Sequence, residues 1–357
     1  MKIGIITIHN SPNYGASLQS FALWKYLDMQ GHDVEIIDLY RPYRKEYVPS
    51  KTYKPWRFHK SDMLSQIKNL IKKIVKKGKK SSLFSENAKV KFDNFNAPIK
   101  LSRPYLSIDD LYLNPPIYDL YISGSDQLWN PTQPYCLEPY FLTFVPKEKK
   151  KISYATSIGI STLEQNEKQR IKGYLSSYTA VSVREYQAKK LLESFAGRKD
   201  VIQVPDPTFL LDVEYWEKLS VKPNIKEPYL LLFILNWSQT LVDYVLKLSK
   251  ESGLKLFVLT QIQPSCKDDS YIAVTDAGPK EFIGYIANAE MVLTDSFHCT
   301  VFSIIMGAKN FYAYISPDNE RGVRITDLLA TFNLEKHLLT SLTTDCAELP
   351  CPSPAHS

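Results

Sequence analysis

The chain has 357 residues, with 44 lysines and arginines against 38 aspartates and glutamates, for a net charge of +6. Hydrophobic residues make up 44% and charged residues 23%, which excludes wholesale disorder, and 13 glycines exclude a collagen-like fibre. The length suits two domains of about 100–200 residues. Five cysteines, at 136, 266, 299, 346 and 351, form no CxxC pair. That argues against a disulfide framework or a structural zinc site and fits a reducing compartment. The N-terminal apolar run turns polar at His9-Asn10, too short for a signal peptide, and no stretch approaches the ~20 apolar residues of a membrane span. A cytoplasmic location is expected. The 23 tyrosines suit either half-buried packing or stacking on sugars.

Lys2 to Ile8 is a short branched run, the pattern of a strand buried on both faces of a parallel sheet. Ser11-Pro12-Asn13-Tyr14-Gly15 breaks it. Leu18, Phe21, Ala22, Trp24 and Tyr26-Leu27 then recur at helical spacing up to Gly31, a C-terminal stop. Val34 to Leu39 returns as a strand, and the unit predicts a doubly wound α/β domain. Residues 41–115 leave this rhythm and are rich in Pro, Tyr and Lys. Within them Ile67, Leu70, Ile71, Ile74 and Val75 form an apolar stripe with lysines opposite, so residues 67–80 predict a basic amphipathic helix. Such a helix either lies on an anionic membrane surface or packs on the body with a solvated lysine face.

Strands are expected at 120–123, 152–155, 180–183 and 201–204, with helices near 162–177 and up to Phe195. The charged stretch 213–227, with Pro223, reads as a link. Beyond it, strands at 229–235, 254–260, 291–293 and 311–314 alternate with helices at 239–252, after Pro279 and from Thr300. The expected organisation is an N-terminal Rossmann-like domain over 1–215 with a basic insert at 41–115, a C-terminal Rossmann-like domain over 226–335, and a tail over 336–357. Two such α/β halves resemble the GT-B arrangement, which implies an active site in the interdomain cleft.

Ligands of open parallel sheets bind beyond the carboxyl ends of the strands, and several polar clusters fall there. Asn13-Tyr14-Gly15 opens a helix whose free N–H groups can hold an anion, unless the segment is a plain tight turn. Gly124-Ser125-Asp126-Gln127 supplies a carboxylate able to take a proton from a hydroxyl, or to cap a following helix. Arg184 can clamp a carboxylate or phosphate with two parallel hydrogen bonds, or pair with Glu185. Asp206, before Pro207, reads as a turn or cap residue. His298 sits at a strand-to-helix turn, where an imidazole can move protons near neutral pH; the alternative is a satisfied core histidine. Cys299 reads as a small packing residue, and Arg321 and Arg324 as anion ligands or solvated surface. No histidines pair at metal-ligand spacing, so no metal site is expected, and no nucleic-acid module accompanies the lysine run.

These blocks resemble the polysaccharide pyruvyl transferases: Asn13-Tyr14-Gly15-Ala16-Ser17-Leu18-Gln19, Gly124 to Asn130, Ser182-Val183-Arg184-Glu185, Asp206-Pro207-Thr208, Thr294 to Ser303, and Arg324 to Leu329. The resemblance covers roughly residues 1–335 and implies a GT-B-like fold with phosphoenolpyruvate as donor. The product would be a pyruvate ketal bridging two hydroxyls of a sugar in a capsule, exopolysaccharide or cell-wall glycan. The acceptor would include a lipid-linked precursor, such as one on undecaprenyl diphosphate, for which membrane contact through residues 67–80 is coherent. The family's Arg and motif His match Arg184 and His298. On that reading Arg184, Arg324, Ser296, Asn13 and Gly15 bind the donor, and His298 is the acid. Asp126 is the candidate base, and Gln127, Trp129 and Asn130 face the acceptor. No metal or cofactor is required beyond phosphoenolpyruvate as co-substrate. Two positions depart from the family: Cys299 stands where glycine is usual, and Ser296 where some members carry arginine. The rivals are a sugar-nucleotide-dependent GT-B glycosyltransferase and a non-catalytic glycan-assembly protein.

Overall fold

The computed structural model describes residues 1–9, 11–57, 85–235, 237–260, 270–316 and 322–342. The predicted basic helix at 67–80, Arg321 and most of the expected tail lie outside them. The first half contains β1 (Lys2–Ile6), α1 (Tyr14–Met29), β2 (Asp33–Ile36), α2 (Glu86–Asn96), α3 (Ile108–Leu113), β3 (Leu120–Ser123), β4 (Lys150–Ser153), α4 (Gln165–Leu175), β5 (Ser182–Val183), α5 (Tyr186–Phe195) and β6 (Ile202–Gln203). Then come α6 (Val213–Leu219), β7 (Tyr229–Ile234), α7 (Gln239–Ser252), β8 (Lys255–Thr260), β9 (Ile272–Val274), α8 (Pro279–Asn288), β10 (Met291–Thr294), α9 (Phe297–Ile305), β11 (Phe311–Tyr314), α10 (Val323–Thr331) and β12 (Leu338–Leu339). Two compact units result. One comprises Met1–Ile8, Leu27–Ser82 and Ile99–Val204, the other His9–Tyr26, Leu83–Pro98 and Pro205–Ser357.

The first unit is built on a parallel sheet in the order β2-β1-β3-β4. Isolated parallel bridges from Ile152 to Ala180 and from Thr156 to Val183 carry the pairing on to β5 and β6. The strand order therefore reverses between β1 and β3. β1 stops at Ile6, short of the expected Ile8, and just beyond it the Thr7 hydroxyl donates to Ser125 O at 3.1 Å. β3 forms over the residues expected. Its core is aromatic: Trp129 stacks on Phe141 at 4.8 Å and 7°, and Trp56 covers the same ring at 5.7 Å and 8°.

The second unit has the parallel order β12-β11-β10-β7-β8-β9. Numbered within the unit this is the 3-2-1-4-5-6 order of doubly wound dinucleotide-binding sheets, with its reversal between β7 and β10. Every residue of β7 is buried, as a strand covered on both faces requires. Part of α1 packs here. Tyr14 stacks on Phe282 at 4.5 Å, meets Phe233 edge-on at 5.7 Å and Phe92 of α2 at 5.1 Å, and donates its hydroxyl to Ala277 O at 2.8 Å.

Two segments differ from expectation. The stretch read as a link contains α6, because Trp216 is apolar at the right spacing to dock on Phe302 at 5.0 Å and its Nε1 donates to Thr208 O. Leu338–Leu339, within the expected tail, pairs with β11 as the edge strand of the second sheet. Among the described residues no helix is long and apolar enough to cross a membrane.

Candidate active site

Both sheets place polar clusters at the point where strand order reverses, where open α/β sheets form ligand crevices. In the second unit β10 ends in Thr294-Asp295-Ser296 and α9 begins at Phe297. Asp295 Oδ1 accepts the N–H of Leu235, just past β7, at 2.6 Å, so the carboxylate ties the two sides of the reversal together. Ser296 caps α9: its Oγ accepts from Cys299 N–H, and its carbonyl accepts from Thr300 N–H and Oγ1. The hydroxyl expected to bind donor is thus engaged as a helix cap.

His298 is 8% exposed. Its Nε2 faces Asp206 Oδ2 at 3.6 Å, longer than a hydrogen bond, and Nε2 has no hydrogen-bond partner. The other oxygen of Asp206 accepts from the Thr208 N–H at 3.1 Å and the Thr208 hydroxyl at 2.9 Å, which fixes the carboxylate's orientation. Asp206 is the cap that its sequence suggests, and it also faces the histidine.

The imidazole also lies against the start of α1. A Cβ on Gly15 would come within 2.1 Å of His298 Nδ1 and 2.5 Å of Cγ, so only glycine leaves room for the ring. Asn13 caps α1, its Oδ1 accepting from Ala16 N–H at 3.0 Å. Phe297 meets the imidazole edge-on at 5.1 Å, and the Arg324 guanidinium sits 5.7 Å over the Phe297 ring. The structure thus gathers His298, Asp206, Asn13, Gly15 and Arg324 in one neighbourhood of the second unit. Cys299 is fully buried, and burial pushes its thiol up to about 12, which excludes a thiolate nucleophile near neutral pH.

In the first unit the reversal holds Gly124 to Asn130. No helix follows Asp126, so it is not a helix cap. The residue adopts φ +74°, a left-handed conformation that aspartate tolerates, and its Oδ1 accepts the next N–H, that of Gln127, at 2.8 Å. The carboxylate keeps 17% of its side chain exposed and stands 3.8 Å from Arg184 Nη2. Arg184 is buried. Its Nε donates to Glu185 Oε1 at 3.2 Å and its Nη1 to Ser125 Oγ at 3.4 Å, so the Glu185 pairing is present.

The three residues expected to face an acceptor fare differently. Gln127 is half-buried and its Oε1 accepts from Asn130 Nδ2 at 2.8 Å. Asn130 is fully buried and knits the loop, its Oδ1 accepting from Thr132 N–H and Oγ1. Trp129 has no exposed surface, and its Nε1 donates to Tyr140 O at 3.0 Å. Trp129 and Asn130 are therefore structural residues here, since a ring with no accessible face offers nothing for a sugar to stack on.

A family model described as polysaccharide pyruvyl transferase matches residues 13–316 of the 357. The chain belongs to the polysaccharide pyruvyl transferase family. The match includes every block above except Arg324 to Leu329. The transferase is also similar to solved structures of two epimerases. One is the UDP-GlcNAc 2-epimerase of Methanocaldococcus jannaschii in complex with UDP-GlcNAc and UDP, at 12% identity, covering 99% of this chain and 96% of that one with a TM-score of 0.50. The other is the UDP-N-acetylglucosamine 2-epimerase of Rickettsia bellii, at 13% identity, covering 90% and 81%, with a TM-score of 0.52. At these identities the likeness shows the fold, the α/β GT-B type with parallel sheets, and not the activity. No curated protein matches the sequence.

Proposed function

We propose that this polysaccharide pyruvyl transferase moves pyruvate from phosphoenolpyruvate onto two hydroxyls of a sugar, releasing phosphate. The observation that carries the reading is the His298 neighbourhood: an imidazole faced by a buried, oriented carboxylate at the reversal of a doubly wound sheet. In this scheme His298, protonated, gives its proton to the donor's methylene carbon, and C2 becomes electrophilic. One acceptor hydroxyl adds to C2 and loses its proton to a base, for which Asp126 is the candidate. The second hydroxyl then displaces phosphate, gives its proton to the now neutral His298, and closes the ketal ring. The candidate sources of positive charge for the donor's carboxylate and phosphate are, in the first unit, Arg184 and, in the second, Arg324 with the α1 and α9 N-termini, each taken by itself. The acceptor is a cell-surface glycan or its lipid-linked precursor, and the reaction takes place on the cytoplasmic side of the membrane.

The test is phosphate release from phosphoenolpyruvate with a glycan acceptor, with label traced from the donor. Label from phosphoenolpyruvate in the glycan supports the reading, and label from a nucleotide sugar alone overturns it. His298→Ala should reduce release by at least about 100-fold, the usual scale of a general acid; near-wild-type release would remove His298 from the acid role.

A further inference from the structure

Arg41 follows β2 by way of Leu39, which bridges to Tyr105. It is 9% exposed, and its guanidinium carbon stands 3.8 Å from the centroid of the Tyr135 ring and 5.7 Å from that of Tyr140. Nε is sealed from solvent with no hydrogen-bond partner. The other buried arginine of this unit has its counter-charge, Arg184 meeting Glu185 at 3.2 Å, whereas the buried Lys151 amine is held by Val145 O at 3.0 Å and Ser177 Oγ at 3.2 Å. Arg41 forms no ion pair with any carboxylate among the described residues. Nor can its tyrosines supply a negative charge, because burial raises both phenols and keeps them neutral. An arginine cannot shed its proton to escape this, so a buried guanidinium without a counter-ion is costly unless an anion completes it.

The surroundings connect this cation to the candidate site. The Tyr135 hydroxyl donates to Gln127 O at 2.8 Å. Tyr140 O accepts from Ser123 Oγ at 2.6 Å and from Trp129 Nε1 at 3.0 Å. The aromatic platform under Arg41 is thereby fastened to the end of β3 and to the loop that carries Asp126. Arg41 lies past the carboxyl end of its strand, on the side of the sheet where ligands bind.

We infer that Arg41 anchors a second anion subsite in the first unit, taking a phosphate or carboxylate group of a substrate. The identity of that substrate rests on the activity proposed above, and two sources share the chemistry: the phosphoenolpyruvate donor and the diphosphate of a carrier-linked acceptor. The flat face on Tyr135 pre-orients the guanidinium fork, and the tyrosine hydroxyl stays tied to the loop when the anion arrives.

The test titrates the full-length wild type, Arg41→Gln and Arg41→Lys with phosphoenolpyruvate and, separately, with inorganic pyrophosphate. Arg41→Gln should weaken binding of at least one probe about tenfold or more, with partial recovery in Arg41→Lys. Loss towards phosphoenolpyruvate assigns the subsite to the donor, and loss towards pyrophosphate alone assigns it to the acceptor's diphosphate. Ligand-free Arg41→Gln should melt no lower than wild type, since it removes an uncompensated charge. Unchanged affinity for both probes, no binding of either by the wild type, or a fall in ligand-free stability of both variants would overturn the subsite and leave a packing role. If pyrophosphate binding depends on Arg41 while the wild type releases no phosphate from phosphoenolpyruvate, the subsite stands and the proposed activity fails. If the wild type turns over and both variants bind the probes as it does, the activity stands and the subsite fails.

Discussion

The Cα of Gly15 lies directly against the imidazole of His298, where a single added methyl would approach Nδ1 to 2.1 Å. Within a helix, glycine to alanine ordinarily stabilises by about 1 kcal/mol. At position 15 the forced displacement of the ring opposes that gain with about 1–3 kcal/mol of overpacking. Gly173 in α4 is the control, since nothing lies within 4 Å of its would-be Cβ. Gly173→Ala should raise the melting temperature with activity intact. Gly15→Ala should lose most turnover without raising it, and full activity in Gly15→Ala would show that the histidine's position is not constrained by this contact.

Asp206→Asn keeps the size of the side chain and an oxygen for Thr208, but removes the negative charge facing His298 Nε2. Losing one charged partner at this distance should lower turnover about 10–100-fold with little change in melting temperature. Asp206→Ala removes the cap as well and should cost a further ~1 kcal/mol of stability. Steady-state kinetics and thermal denaturation on the two variants separate the roles. Equal turnover in wild type and Asp206→Asn would reduce Asp206 to a cap.

Trp129→Ala opens a cavity under Phe141 and leaves the Tyr140 carbonyl without its indole donor. A loss of about 3–5 kcal/mol of stability is expected. Trp129→Phe should recover much of that, with the Michaelis constant for the acceptor unchanged. A raised acceptor constant at wild-type stability would return Trp129 to the acceptor site.

Burial pushes the thiols of Cys136 and Cys299 from 9.0 up to about 12. Neither should be alkylated by iodoacetamide at pH 8 in the folded protein, and both should react after denaturation, as mass spectrometry of the peptides would show. The same shift makes the fold alkali-sensitive. Between pH 9 and 12 the unfolded chain has released thiol protons that the folded chain still holds, so these groups stabilise below pH 9 and lose that contribution as pH rises. Replacing both with alanine should flatten the alkaline fall in stability.

The alternation of branched runs with helical spacing locates most strands, and β3 to the residue, because buried parallel strands are short and bounded by turn residues. The polar blocks are legible for the same reason, since each follows a strand end. Their internal geometry is not. That Gly15 touches His298, or that Asp206 faces it, depends on how helices from distant parts of the chain dock, which no local period encodes. Trp129 misleads because the loop around it is polar, while the ring itself points into an aromatic stack. Arg41 stands in a segment whose composition suggests only an irregular insert.

Tyr14 has a consequence for biosynthesis. Its ring completes an aromatic cluster with Phe92, Phe233 and Phe282, and its hydroxyl bonds to a carbonyl 263 positions further along. A chain emerging from the ribosome at roughly 5–20 residues per second exposes this tyrosine on the order of tens of seconds before its partners exist. The second unit cannot close until nearly the whole chain has been made, so a fragment starting at residue 205 would display the unsatisfied faces of Phe233 and Phe282 and be prone to aggregate.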